Sequence, residues 1–247
     1  MDRSSILANF PGIAAARLPQ DVYVFFDDFL GAQFSSTTDA AIWNQTLIAT
    51  QATTAAILDG TNEAMDEAGG ILNLVTDATA DEGNNLQVNG EAFGLEAGYP
   101  LYFETRINVG DISNVDMFIG LSHTDAEIVT TGLNDGVGFL LEAGVLYAHA
   151  AKDSTEKSVD CAITEADDDW IRLAFEYDGA DTVRFYVAPS DTNEFTLKTT
   201  MLLSTVAHYL PDNEMLTPTI EAITGATATA EKMYVDYVYC AQLRYSE

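Results

Sequence analysis

The sequence predicts an all-β protein, a two-sheet antiparallel β-sandwich, and three observations point there. Apolar and polar residues alternate with period two in segment after segment, the signature of strands with one buried and one solvated face. The segments are short, a dozen or so in number, and recur at no fixed period. Helical spacing of apolar residues is nearly absent, with at most a short turn near Thr205 to Leu210. Many short strands around one core are accommodated by two packed sheets.

The clearest alternation runs from Gly98 to Ser122. Leu101, Phe103, Thr105, Ile107 and Val109 alternate with Tyr102, Glu104, Arg106 and Asn108, and Met117, Ile119 and Leu121 repeat the pattern after a short acidic turn. This pair reads as the middle of one sheet. Upstream, Val22 to Leu30 is strand-like and aromatic. Trp43 lies in a strand over Ile42 to Ala49, Thr50 to Ile57 is β-permissive, and Ile71 to Thr76 is a short buried strand. Leu86 to Val88 reads as a brief strand inside a polar loop.

Downstream, Gly136 to Leu141 and Leu146 to Ala151 form a hairpin across EAGV. Trp170 to Tyr177 and Thr182 to Ala188 form another, across DGAD, after a tight turn at Asp167, Asp168 and Asp169. Thr196 to Leu203 and Leu216 to Thr224 follow. Pro218 marks the latter as an edge or a bulge, because proline lacks the ladder donor. Met233 to Arg244 is a long closing strand.

The chain of 247 residues carries 10 basic and 39 acidic residues, net −29. So few cations argue against nucleic acid and against anionic membranes, both of which are bound through Lys and Arg. Such a surface suits a saline environment, where salt screens like charges. No charged n-region followed by an apolar core opens the sequence, and no apolar run approaches a membrane span. These features predict a soluble protein made in a cytoplasm. Cys161 and Cys240 are too few and too far apart in sequence for a disulfide framework or a zinc site, and read as buried thiols.

Two parts are distinguished: an arm, residues 1–20, and a sandwich domain, residues 21–247. The arm holds one acid, Asp2, against two bases, Arg3 and Arg17, with Ile6, Leu7 and Phe10 as apolar anchors. This composition suits contact with a neighbouring subunit or another protein. The alternative is a terminus folded back on its own domain.

The order FFDDF, Trp43, GGILNLVT, PLYFETRINV, DMFIGLS, WIRLAFEYDGADTVRFYV and MYVDYVYCAQL resembles the concanavalin A-like lectin and glucanase jelly roll, the fold of laminin-G-like modules and family 16 glucanases. Within that group, an acidic single jelly roll with a short arm is similar to virion structural proteins of tailed phages, capsid decoration proteins above all. The resemblance implies a non-enzymatic virion protein, made in a host cytoplasm, that binds and stabilises an assembled shell. Its partners would be a capsid or other virion protein and further copies of itself, as a trimer. The alternative is a lectin-like carbohydrate-binding adhesion module.

Hydrolysis finds no support in the residues. The E-x-D-x-x-E strand motif of the glucanases is absent; Glu63, Asp66 and Glu67 have the wrong spacing, and Glu142 stands alone. His123, His149 and His208 lie in no nucleophile context. By resemblance, a structural Ca²⁺ would sit where the first and last strands meet, at Asp28 and Asp236; outward-facing strand acids are the other reading. No other cofactor is expected. Arg106, Arg172 and Arg184 share one phase, which predicts a cross-strand charge ladder with glutamates. Alternatively Tyr102, Arg106, Arg172, Arg184 and Tyr186 line a concave face for a sugar or a protein partner.

Overall fold

A computed structural model describes residues 22–30, 34–35, 42–49, 56–58, 70–163, 166–189, 194–203 and 209–244. Among them are sixteen strands and no helix. In chain order these are β1 Val22–Asp27, β2 Phe34–Ser35, β3 Trp43–Ile48, β4 Ala56–Leu58, β5 Ile71–Val75, β6 Gly83–Val88, β7 Leu101–Val109 and β8 Val115–Ser122. Then come β9 Gly136–Glu142, β10 Val145–Lys152, β11 Thr155–Asp160, β12 Trp170–Tyr177, β13 Thr182–Pro189, β14 Thr196–Leu202, β15 Thr217–Thr224 and β16 Lys232–Leu243.

The first sheet has the order β14-β13-β12-β7-β16-β5-β4, with β1 also paired to β16. The second runs β11-β10-β9-β8-β15-β6-β3-β2. Every pairing is antiparallel except the two-residue contact of β2 with β3. The inner faces meet in one apolar core. Phe103 stacks on Phe175 at 5.0 Å, Phe175 meets Phe185 at 5.8 Å, and Phe139 of the second sheet meets Phe185 of the first edge-on at 5.7 Å. Trp43, fully buried, packs edge-on against Phe25 and donates its indole N–H to Asp27 Oδ2 at 2.8 Å. That bond ties the second sheet to the first and satisfies a polar atom that burial would otherwise orphan.

Four expectations need correction. The Gly98 to Ser122 pair is not a hairpin: β7 lies in the first sheet and β8 in the second. The turn between them crosses the sandwich, closed by Val115 N–H donating to Asp111 C=O at 2.9 Å. Both strands alternate because they line the same core from opposite sides. Periodicity assigns a face, not a partner.

β15 is neither edge nor bulged: it runs between β8 and β6. Pro218 is tolerated because its β6 ladder begins only at Thr219, and the Thr217 hydroxyl donates to Val88 C=O at 2.7 Å where a backbone N–H would have served. β6 is twice the expected length because Asn84 and Asn85, which read as loop residues, are buried and hydrogen-bonded. β11 was not anticipated. It is an edge strand, exposed at five of six positions, so it shows no alternation, and Glu156, Lys157 and Asp160 guard it against edge-to-edge pairing.

The two hairpins form as expected. Ala143 and Gly144 both take positive φ between β9 and β10, the two-residue turn whose twist suits a hairpin. Between β12 and β13, Asp178 Oδ1 accepts from the N–H groups of Ala180, Asp181 and Thr182.

Candidate functional site

The outer face of the first sheet carries the five residues expected to share a surface. Register places Arg172 opposite Arg106, Ala174 opposite Glu104 and Tyr186, and Glu176 opposite Tyr102 and Arg184. Two arginines facing each other would repel, and the structure resolves this sideways. Arg106 reaches Asp236 at 3.0 Å and lies 4.3 Å from the Trp170 ring centroid; Arg172 approaches Glu104 at 3.6 Å and lies 4.7 Å from that of Phe195. Arg184 pairs with Glu176 at 3.3 Å and with Asp178 at 3.6 Å. The charge ladder expected from the arginine phase is present.

Its centre is Glu104. The Tyr102 hydroxyl donates to Oε2 and the Tyr237 hydroxyl to Oε1, both at 2.5 Å. Burial pushes both phenols well above their ordinary range, and the neighbouring Glu104 charge adds to it. Both therefore stay protonated and keep donating. Tyr186 repeats the device at Glu176, donating at 2.6 Å, and is raised first by burial and then by that bond. Tyr102 is 1% exposed and packs with Ala174 and Ala241 in a small apolar cluster of its own on this face.

Tyr237 was not anticipated. A bulge in β16 inserts Asp236 and shifts the phase between Val235 and Tyr237, so simple alternation misassigns the tyrosine.

The remaining expected residues are scattered. Asp236 is held by Arg106, while Asp28 follows β1, its C=O accepting from Gly70 N–H. Among the described residues no group of three or more His, Cys, Asp or Glu is placed to hold a metal ion. Cys161 and Cys240 are buried free thiols, and burial raises both, Cys161 to about 11. His149 is buried and lowered by burial; His123 lies 3.6 Å from Glu91. Glu142 is exposed at the end of β9. Arg3, Ile6, Leu7, Phe10, Arg17, Glu63, Asp66, Glu67 and His208 lie outside the described residues.

Two further features carried no sequence signal. Glu221, in the middle of β15, is fully buried on the outer side of the second sheet. An open surface groove lies between the start of β1 and the end of β16, lined by Tyr23, Ala92, Gln242, Leu243 and Arg244. Arg244 is 5.6 Å from the Tyr23 ring centroid.

No protein-family model matches the chain, and no curated protein matches it. Solved structures do. A protein of unknown function from Shewanella oneidensis is similar with TM-score 0.60 at 15% identity, over 98% of this chain and 95% of that one. A glycosyl hydrolase family protein from Mycobacterium fortuitum gives 0.56 at 16%, over 88% and 99%. Winged bean acidic lectin, in complex with methyl-α-D-galactose, gives 0.59 at 9%, over 91% and 100%. Lectins and hydrolases thus stand side by side among the neighbours, and at such identities the likeness concerns architecture. The chain is an all-β, two-sheet antiparallel sandwich of the concanavalin A-like type.

Proposed function

We propose that this protein is a non-enzymatic attachment module, and more specifically a virion protein that decorates an assembled capsid shell as an oligomer. The observation that carries the attachment reading is the β1 side of the first sheet. Val24 and Phe26 are each 47% exposed, and Phe26 lies 6.4 Å from both Tyr237 and Tyr239. Residues 22–26 carry no charge in a chain of net −29, so this strand offers another protein an apolar strip on an otherwise acidic molecule. The arm of residues 1–20 leads into this strand. The shell as partner rests on the sequence resemblance. Hydrolysis is disfavoured because retaining catalysis needs two carboxylates about 5–5.5 Å apart facing one substrate, whereas Glu104 and Glu176 each hold tyrosine and arginine partners.

Mass measurement of the intact protein tests this reading. We expect a trimer, reduced to monomer by Phe26→Asp with its melting temperature retained, and loss of shell binding when residues 1–20 are deleted. A wild-type monomer that ignores shells would overturn it.

A second reading, glycan binding, is favoured by the lectin among the neighbours and by the open groove at Tyr23 and Arg244, where an aromatic ring and a guanidinium meet. Reproducible glycan-array binding lost in Tyr23→Ala or Arg106→Ala would select it. A silent array leaves attachment to protein.

A further inference from the structure

The outer face of the first sheet carries exposed apolar residues on both sides of its charge ladder. Along the row β14-β13-β12-β7-β16, with β1 beyond the second half of β16, the end strands are β14 and β1. On β1, Val24 and Phe26 stand opposite Ala241 and Tyr239 of β16, which stand opposite Tyr102 and Glu104 of β7. Cross-strand partners point to the same side of a sheet, so Val24 and Phe26 share the outer face with the ladder.

On β14 the same side is reached through an irregularity. Leu197 and Leu202 are separated by an odd number of positions, which would send them to opposite faces of a regular strand. The pairing with β13 shifts between Phe185 and Tyr186, so Leu197 stands opposite Tyr186 and Leu202 opposite Thr182. Thr182 and Tyr186 alternate with Val183, Phe185 and Val187, which belong to the core. The bulge therefore turns both leucines to the outer face, where they are 52% and 42% exposed.

Charge and symmetry both point these two strips at each other. Residues 22–26 and 196–202 contain no acid, in a chain of net −29. The charges they do bring to a contact are opposite in sign: Lys198 within β14, and Asp27 and Asp28 where β1 ends. A trimeric ring, moreover, cannot be built from a patch that meets itself; it needs two different patches on each copy. The β1 strip must therefore face a second surface of the chain. Among the described residues the other large exposed apolar side chains are Leu30, Ile42, Leu47, Leu197, Leu202 and Met215. Leu30 follows β1 itself, and Met215 stands alone. Ile42 and Leu47 bracket β3 at an odd spacing, with no register shift to bring them to one side. Only β14 places two on one face of an end strand.

We infer that β14 of one copy docks on β1 of the next, head to tail, with Leu197 and Leu202 covering Val24 and Phe26. This rests on the oligomer reading above and names the other half of its interface. Each copy gives one side of its first sheet and receives on the other, and the ring closes when the β14 of the third copy meets the β1 of the first.

Mass measurement of full-length variants tests the contact. Leu197→Asp should be monomeric at concentrations where the wild type is a trimer, with its melting temperature retained because the side chain is half exposed. Phe26→Asp is damaged on the opposite patch. Mixed in equal amounts, the two variants should form a mixed dimer and go no further, while neither dimerises alone. The β14 of the Phe26→Asp chain and the β1 of the Leu197→Asp chain are both intact, and the two patches left over are both damaged. The mixture is measured well above the concentration that assembles the wild type, because a single contact lacks the gain from ring closure. A trimeric Leu197→Asp, or a mixture without the mixed dimer, would overturn this contact and leave the trimer standing. A monomeric wild type would remove the oligomer reading and this contact together. If Leu197→Asp melts below the wild type, Leu202→Asp takes its place under the same expectations.

Discussion

Glu104→Ala should lower stability by about 3 kcal/mol, because removing one member of a buried, hydrogen-bonded ion pair leaves its partner uncompensated. In a domain of this size that corresponds to a fall of roughly 6–12 °C in melting temperature. Glu104 and Arg172 are 11% and 14% exposed at their side chains, so solvent screens little of the loss. Two phenol donors are orphaned at the same time, Tyr102 and Tyr237. Tyr102→Phe and Tyr237→Phe should each cost less, about 1 kcal/mol, since each removes only one hydrogen bond. Combining Glu104→Ala with Arg172→Met should recover part of the loss, and the double-mutant cycle measures the coupling. A melt of Glu104→Ala within a degree of wild type would show that this network is ornamental.

Gly120→Ala should be worse. At an ordinary strand position replacing glycine by alanine stabilises by about 0.5–1 kcal/mol, because alanine has less backbone freedom to lose. Here the sign reverses. Gly120 of β8 faces Gly138 of β9, and a Cβ on Gly120 would lie 2.4 Å from Val137 C=O and 2.5 Å from Gly138 Cα. Both contacts are backbone, so no side chain can swing away; the strands must separate or the ladder must break. A loss of about 3 kcal/mol or more is expected, at or beyond the upper end of usual overpacking costs. Soluble yield and urea midpoint are the readouts, and a stabilised Gly120→Ala would refute the close approach. Gly110→Ala is the control, its nearest contact being 3.3 Å.

How much was legible follows from what alternation encodes. It reports which side of a strand meets apolar surroundings, so the inner residues of β7, β8, β12 and β13 could be read directly. It does not report which strand lies alongside, so β7 and β8 were joined in one sheet when they line opposite walls. The arginines of the ladder were legible because cations are scarce in this chain and three share a phase. Their tyrosine partner at position 237 was not, since the Asp236 bulge breaks the phase on which the reading depends. Glu221 was hidden for a different reason. An acid in an alternating strand reads as a solvated position, and the backbone that buries it lies more than ninety residues earlier in the chain. Polarity and exposure part company wherever one segment covers another. Asn84 and Asn85 were misread on the same ground.

The placement of β16 has a consequence for the timing of folding. It is the last of the described strands in chain order, yet it sits inside the first sheet, flanked by β7 on one side and by β5 and β1 on the other. Those neighbours are all made earlier and must wait with unpaired edges until β16 emerges. Closing such long loops is slow, and the waiting edges are adhesive. The second sheet has no such gap after β15, so it can assemble first and template the other. The many carboxylates then keep partly synthesised chains on neighbouring ribosomes from finding one another's open edges before each has its own closing strand.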